Sequence, residues 1–314
     1  MKAAVITAFD QPPRYGDADE PVPQGPEDRV VDVLAAGLHP LARGRASGTH
    51  YASGAQAPQR VAGVDGVGRG PDGRLLYFAQ GPGQPGTMAD RTVVAPGHSI
   101  ELPPGSDPLV LAGAMNPAMA AWLALRCRVP LQRGQKVLIL GATGSSGRLA
   151  VQIARHLGAS QVIAAGRDGH RLAQLPELGA SHTVALGDAR LGRLACEVDV
   201  VLDFLWGAVA VHAMQAVLEQ RADRDRPLTW IHVGSMAGES APLPGAFLRA
   251  ANLRIVGSGL GSVPQQDILA ELPALVQEIA RGSFRIDVRA VPLRDVERVW
   301  NQASLAGERV VLVP

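Results

Sequence analysis

The sequence predicts an α/β protein in two parts, a β-rich module followed by a doubly wound parallel sheet. Three observations predict this architecture. Short β-branched runs separated by Pro, Gly and Asp occupy the chain up to about residue 110. Apolar strands and amphipathic helices then alternate. A glycine-rich turn, residues 141–147, joins the first of those strands to its helix.

The first module contains strand signals with little helical sequence between them. The strand candidates are AAVIT (3–7), RVVDVLAAG (29–37), GRLLYFA (73–79) and DRTVVAP (90–96). Such a series is typical of a barrel or sandwich rather than of βαβ units. An apolar helix is expected over residues 108–129, where the spacing of apolar residues becomes helical.

The second part has the rhythm of a parallel sheet covered by helices. The predicted strands are KVLILG (136–141), QVIAAGR (161–167), HTVAL (182–186), VDVVLDFLWG (198–207) and LTWIHVGS (228–235), and the predicted helices cover 147–159, 168–180 and 208–220. After residue 250 follow strands at 252–260, 287–293 and 308–314 and helices at 268–282 and 294–304.

Composition and charge exclude several classes of protein. The 314 residues are 46% hydrophobic and 19% charged, which is ordinary for a globular enzyme. The formal net charge of +1 gives no reason to expect a nucleic acid or a membrane surface as partner. The two cysteines, Cys127 and Cys196, are far apart and indicate neither a disulfide scaffold nor a structural zinc lobe. We therefore expect a soluble, cytoplasmic protein.

The glycine turn is the first candidate binding site. Its spacing is G-x-x-G-x-x-G rather than the common G-x-G-x-x-G. The glycines permit a tight turn, close approach to a phosphate and close packing of the helix, whose N-terminus favours an anion. The predicted cofactor contacts in this turn are Gly141, Ala142, Thr143, Gly144, Ser145, Ser146 and Gly147. Alone, the turn is equally compatible with an ordinary αβ connection.

The next strand indicates which cofactor to expect. An NAD site usually has Asp or Glu about 20 residues after the glycines, whereas an NADP site favours arginine for the 2′-phosphate. Twenty residues after Gly147 stands Arg167, and Asp168 follows one position later. Because a guanidinium suits a phosphate dianion, the sequence favours NADPH over NADH.

Taken in order, the motifs resemble those of the medium-chain dehydrogenase/reductase superfamily, and they are most similar to its zinc-independent, quinone oxidoreductase-like branch. They are AAGLHPLARGRASG (35–48), VAGVDGVG (61–68), GTMADRTVVAP (86–96), LILGATGSSG (138–147), VDVVLDFLWG (198–207), LRIVGSG (253–259) and GERVVLVP (307–314). The resemblance implies a discontinuous GroES-like catalytic domain, residues 1–114 and 258–314, and a Rossmann NADP-binding domain, residues 115–257. It also implies a homodimer joined through the edge strand that contains LRIVGSG.

The resemblance also bears on metal binding. Zinc-dependent relatives place Cys where this chain has His39, a His-Glu pair at Val64-Asp65, and a further Cys near Asn116. Only His39 is a strong ligand among these, so we expect no metal. The remaining chemistry is hydride transfer from NADPH to a quinone or an activated enone, a small-molecule electrophile.

The resemblance supplies the remaining candidate residues. Tyr51 and His39 are the candidate catalytic residues, as proton donors for an enolate. Further cofactor contacts are expected at Asn116, Gly234, Ser235, Gly257 and Ser258. Two alternatives stay open: a zinc-dependent carbonyl reductase of the alcohol dehydrogenase type, and a non-enzymatic NADPH-binding redox sensor.

Overall fold

The computed structural model describes residues 1–50, 60–81, 83–259, 261–302 and 308–314. They form two compact units: unit 1 is Met1–Asn116 with Leu272–Pro314, and unit 2 is Pro117–Glu271. The sequence prediction put the second boundary earlier, at residue 258. Residues 258–271 belong to unit 2, where the Glu271 carboxylate accepts hydrogen bonds from Trp122 and Arg126.

The strands, in chain order, are β1 (Lys2–Ile6), β2 (Arg14–Asp17), β3 (Arg29–Gly37), β4 (Arg60–Val61), β5 (Asp65–Arg69), β6 (Leu75–Ala79), β7 (Arg91–Val94), β8 (Ser99–Glu101), β9 (Lys136–Leu140), β10 (Gln161–Gly166), β11 (His182–Ala185), β12 (Val200–Asp203), β13 (Leu228–His232), β14 (Leu253–Gly257), β15 (Val288–Pro292) and β16 (Arg309–Val313). The helices are α1 (Pro40–Ala46), α2 (Pro108–Leu123), α3 (Ser145–His156), α4 (Gly169–Gln174), α5 (Arg190–Ala195), α6 (Gly207–Gln220), α7 (Phe247–Ala250), α8 (Gln265–Ala280) and α9 (Val296–Trp300).

Unit 1 is built on two sheets that are almost entirely antiparallel. One has the order β2-β1-β4, and the larger has the order β15-β16-β3-β5-β6-β8 with β7 also paired to β3. Glycines in β5 explain why β3 and β5 can pair so closely. A Cβ built at Gly66 would lie 2.8 Å from the Ala35 carbonyl oxygen, and a β-bulge between Val33 and Ala35 occurs beside it.

Unit 2 is a six-stranded parallel sheet of order β11-β10-β9-β12-β13-β14. This is the doubly wound order, and it confirms the predicted Rossmann architecture. Strand β9 lies at the centre, where Val137, Leu138, Ile139 and Leu140 are all fully buried. A continuous apolar run is what a strand covered on both faces requires. The order reverses between β9 and β12, which creates a crevice at the carboxyl ends of these two strands.

Helix α2 is apolar on all sides and continues into a π-helical turn, Ala124–Arg128. By length and composition, Pro108–Arg128 resembles a membrane span, although we expected none from the sequence. In the structure, 61% of its most apolar 18-residue window is buried, as in the core helix of a globular protein.

Candidate cofactor site and candidate catalytic cluster

The glycine turn connects β9 to α3 in a conformation that its residue types require. Gly141 has φ +84°, a value that favours glycine, and the amides of Gly141 and Ala142 both donate to the Ala165 carbonyl in β10. A Cβ built at Gly147 would lie 2.2 Å from the Gly141 carbonyl oxygen. The first turn of α3 therefore packs directly on the end of β9, and no larger residue fits at Gly147.

The start of α3 offers unshielded donors to an anion. Gly144 is the N-cap, no side chain caps the helix, and its first turn contains no acidic residue. A Cβ at Gly144 would meet only the Gly141 carbonyl oxygen, at 3.6 Å, so the approach to the first amides is open. Ser145 and Ser146 are half-buried on this turn. The helix dipole and these donors fit a pyrophosphate.

Arg167 follows β10 directly and lies beside this turn. A Cβ built on the preceding Gly166 would lie 2.5 Å from Cγ2 of Thr143, so the end of β10 is packed against the turn. Arg167 is exposed, and within the described part of the chain its guanidinium makes no hydrogen bond or ion pair.

Asp168 is engaged differently from Arg167. It is the N-cap of α4 and accepts the Arg171 amide at 3.1 Å, and its carboxylate also pairs with the Arg171 side chain at 3.3 Å. The carboxylate nearest to the position that recognises a ribose diol is thus committed to its own helix. The neighbouring cation at Arg167 is available for a phosphate.

Strand register brings most of the predicted cofactor residues to one edge of the sheet. Leu140 is in register with Ala165 on β10 and with Asp203 on β12, and Asp203 with His232, which in turn pairs with Gly257. The predicted contacts that follow these strand ends are the 141–147 turn, Arg167, Gly234, Ser235 and Ser258. The Ser258 amide donates to the His232 carbonyl, which holds Ser258 at this edge.

Asp203 organises the turn that leaves β12. Its fully buried carboxylate accepts the amides of Leu205 (2.8 Å) and Trp206 (2.9 Å) on Oδ1 and the indole N–H of Trp230 (2.9 Å) on Oδ2. A Cβ built at Gly141 would lie 3.1 Å from Cδ2 of Leu205. The turn after β12 is therefore fixed against the glycine turn, across the crevice between β9 and β12.

In unit 1, His39 belongs to a buried chain of three side chains. His39 is 1% exposed; its Nδ1 accepts the Ala42 amide (3.2 Å), and its Nε2 lies 2.8 Å from Oδ1 of Asp65. Because Nδ1 accepts a hydrogen bond, the ring proton is on Nε2 and is donated to Asp65. The Tyr77 hydroxyl donates to the other Asp65 oxygen at 2.8 Å. Burial, reinforced by the Asp65 charge, raises the pKa of Tyr77 well above its ordinary value, which keeps it a donor.

This cluster does not fit a catalytic zinc ion. Such a site needs three good protein ligands. Among the residues that the structure describes, no three His, Cys, Asp or Glu side chains lie together so that they could hold a metal ion. The His39 and Asp65 atoms that face each other are already joined by a hydrogen bond, and Asn116 is a poor ligand type.

Two predicted site residues remain, Asn116 and Tyr51. Asn116 is half-buried in α2, one residue before the in-helix Pro117, and belongs to unit 1. Tyr51 lies outside the described residues, so its candidate role stays a prediction.

Sequence reasoning missed two features near these clusters. The first is the contact between the rings of Trp206 and His232, whose centroids are 4.6 Å apart. The second is Arg309, which is 6% exposed and whose guanidinium makes no hydrogen bond or ion pair with the residues described. Burial lowers the pKa of Arg309 to about 10. Trp206 also has a positive φ, 55°, which no sequence pattern predicts. Arg309, in contrast, is the one charged residue within the apolar strand of the motif GERVVLVP, and this pattern could have indicated a buried charge.

The chain is similar to known proteins in both sequence and fold. A family model described as zinc-binding dehydrogenase matches residues 147–280. A probable NADPH-dependent quinone reductase (tdiC) of Emericella nidulans is 30% identical, over the whole of both chains. The quinone oxidoreductase of Thermus thermophilus, whose structures include a complex with NADPH, is 25% identical over the whole of both chains, with a TM-score of 0.85.

Other relatives are matched over shorter spans. The NADPH-dependent alkenal/one oxidoreductase of Arabidopsis thaliana is 27% identical over 58% of this chain and 51% of its own. The chain also matches several polyketide synthases and spans only 3% to 15% of their lengths.

A Rossmann sheet with a dinucleotide cradle, in one chain with a GroES-like β-rich unit, defines a medium-chain reductase. The chain belongs to the quinone oxidoreductase branch of the medium-chain dehydrogenase/reductase superfamily, and the resemblance seen in its motifs is confirmed.

Proposed function

We propose that the protein is an NADPH-dependent oxidoreductase that reduces a quinone or an activated enone without a metal ion. The observation that carries the proposal is the pairing of an open glycine cradle with Arg167, while Asp168 is committed to α4. The names of two relatives support it: quinone reductase and alkenal/one oxidoreductase.

Each part of the cradle has a defined task in this proposal. The amides at the start of α3, with Ser145 and Ser146, bind the pyrophosphate. Arg167 binds the 2′-phosphate, and Gly234, Ser235, Gly257 and Ser258 line the other half of the cofactor. When bound, NADPH supplies the hydride. The residues supply binding and orientation, which account for much of the rate enhancement in such reactions.

We assign different tasks to the two candidate catalytic residues. Both ring nitrogens of His39 are engaged, so His39 acts by orientation: it caps α1 and holds the Asp65 carboxylate. Tyr51 is the proton donor for an enolate product, and solvent suffices for a quinone. Asn116 stays a proposed cofactor contact, as the resemblance implies.

The assignment of Arg167 is tested by comparing two cofactors. Arg167→Ala should weaken NADPH binding by about 1–3 kcal/mol and leave NADH binding nearly unchanged, since a charge-assisted hydrogen bond to phosphate is lost. Arg190→Ala is the matched control, because the exposed Arg190 is bonded to Asp188 in the same unit. Isothermal titration measures both affinities. An equal loss for the two cofactors would refute the phosphate contact.

Turnover separates the enzyme from the redox sensor. The assay follows NADPH oxidation by its absorbance, with a panel of quinones, enones and simple ketones. Reduction of quinones or enones supports the proposal, whereas tight NADPH binding without turnover of any acceptor would favour the sensor.

We further propose that the protein is a cytoplasmic homodimer joined through β14. This strand ends the sheet order, is paired only with β13 among the described strands, and has half-buried side chains at Leu253, Ile255 and Val256. Sedimentation equilibrium should give twice the 32.8 kDa chain mass. A monomer at micromolar concentration would contradict the proposal.

A further inference from the structure

Trp206 has a backbone conformation that tryptophan rarely adopts. Its φ is 55° and its ψ is −161°, and it is the one non-glycine residue with a positive φ in the described part of the chain. This region is populated almost exclusively by glycine. The chain therefore keeps a large aromatic residue at a position where glycine would remove a conformational cost.

The surrounding turn holds Trp206 in this conformation. Its amide donates to the buried Asp203 carboxylate, as does the amide of Leu205. Gly207 follows with φ 66°, and a Cβ there would lie 2.8 Å from the Ala237 carbonyl oxygen. Both sides of Trp206 are thus fixed, which is the condition under which a strained residue persists.

The Trp206 side chain is directed toward His232, the last residue of β13. The two ring centroids are 4.6 Å apart, with 50° between the ring planes, and His232 Nε2 lies 3.3 Å from the Ser235 hydroxyl. Trp206 is half-buried and packs in part on the core of unit 2. Within the described residues its backbone amide is the donor that is bonded, and its indole N–H makes no hydrogen bond.

The position of this pair relates it to one half of the cofactor. The turn after β12 touches the glycine turn, because Cδ2 of Leu205 would lie 3.1 Å from a Cβ on Gly141. In a doubly wound sheet the residue after the second strand, here Arg167, marks the adenosine end of a dinucleotide. Strands β12 and β13 lie on the opposite side of β9 and therefore serve the nicotinamide end.

We propose that Trp206, whose ring packs at a tilt against that of His232, is a binding residue that forms a wall for the nicotinamide-ribose half of NADPH. The flat indole supplies apolar contact, and its uncommitted N–H supplies a donor to the ribose. The inference rests on the proposed cofactor. The positive φ of Trp206 costs stability, and contact of the indole with the cofactor would offset this cost.

The test compares whole NADPH with a fragment that lacks the nicotinamide half, adenosine 2′,5′-bisphosphate. Trp206→Gly should weaken NADPH at least about tenfold, because an aromatic contact and a hydrogen bond are lost. It should leave the fragment unchanged, and thermal stability should fall little, since glycine relieves the strained φ. Trp206→Phe keeps a ring beside His232, so its loss should be smaller. Trp300→Phe, a buried tryptophan change in unit 1, is the control.

Three outcomes would overturn the inference. The first is unchanged NADPH affinity in both Trp206 variants, with a lower melting temperature; Trp206 would then be a packing residue only. The second is an equal loss for NADPH and the fragment, which would mean that the change deforms the whole cradle. The third is a loss of NADPH binding in Trp300→Phe as large as in Trp206→Phe. Failure of the unaltered protein to bind NADPH would instead refute the proposed function, so the two failures are distinguishable.

Discussion

Replacing Asp203 by Asn tests how the turn after β12 is held. The Asp203 carboxylate accepts three hydrogen bonds and is fully buried. Asn keeps the shape and one carbonyl oxygen, which can still accept the amides of Leu205 and Trp206. Its NH2 group then faces the indole N–H of Trp230, and neither of these two donors has an acceptor.

The magnitude follows from this geometry. A hydrogen bond to a charged group contributes about 1.5–3 kcal/mol, and a buried donor without a partner costs about 1–3 kcal/mol. One such bond is lost and two others become neutral. We therefore expect Asp203→Asn to lower the free energy of unfolding by about 2–4 kcal/mol. NADPH affinity should fall as well, because the turn borders the glycine cradle.

Urea denaturation followed by circular dichroism measures the stability, and isothermal titration measures NADPH binding. The combination of Asp203→Asn with Trp230→Phe is the decisive variant. Since Trp230→Phe removes the opposing donor, the double variant should lose less stability than the sum of the two single losses. Strict additivity, or a loss below about 0.5 kcal/mol in Asp203→Asn, would refute the hydrogen-bond argument.

Three further predictions concern other buried contacts. Gly147→Ala should abolish NADPH binding in titration calorimetry, because its Cβ would lie 2.2 Å from a carbonyl oxygen of the same turn; binding close to that of the unaltered protein would contradict this. Tyr77→Phe should lower the free energy of unfolding by about 1.5–3 kcal/mol in urea, since Asp65 loses a buried donor, and no change would show that the hydroxyl is dispensable. Arg221→Met should lower the free energy of unfolding by at least about 3 kcal/mol, because the Arg221 guanidinium donates to four backbone carbonyls. Arg309→Met should be at least as stable as the unaltered protein, because the buried Arg309 guanidinium has no such partners among the residues described. Equal losses of stability in the two variants would contradict this comparison.

Much of the fold could be predicted because burial is visible in local sequence. Strand β3 has the predicted bounds, 29–37, and β9 differs by one residue, because both are long apolar runs. Strand β5 was missed, since DGVGR contains two glycines and carries no β-branched pattern. Those glycines are required by the nearness of β3, which is a tertiary contact. Helix α1 was missed as well; it has seven residues and depends on its cap, His39.

The two candidate sites also differ in how well the sequence predicts them. The glycine turn and Arg167 are neighbours through consecutive elements, so spacing in the sequence was sufficient to group them. His39, Asp65 and Tyr77 come from three separate segments, 26 and 12 residues apart, and no local pattern joins them. The sequence placed His39 and Asp65 at positions where relatives bind zinc. The sequence could not show that the His39 ring and the Asp65 carboxylate are hydrogen-bonded to each other.

The choice of cofactor illustrates how a shift of one residue changes chemistry. A carboxylate directly after β10 would face the ribose, whereas Asp168, one residue later, has the extended backbone of an N-cap and turns back to α4. The Arg171 guanidinium, 3.3 Å from this carboxylate, offsets part of its repulsion of a phosphate. Arg167 occupies the position after β10 without any competing partner among the residues described. Two adjacent side chains of opposite charge thus differ in their contacts: Asp168 caps its own helix, which leaves Arg167 for the proposed contact with a phosphorylated ribose.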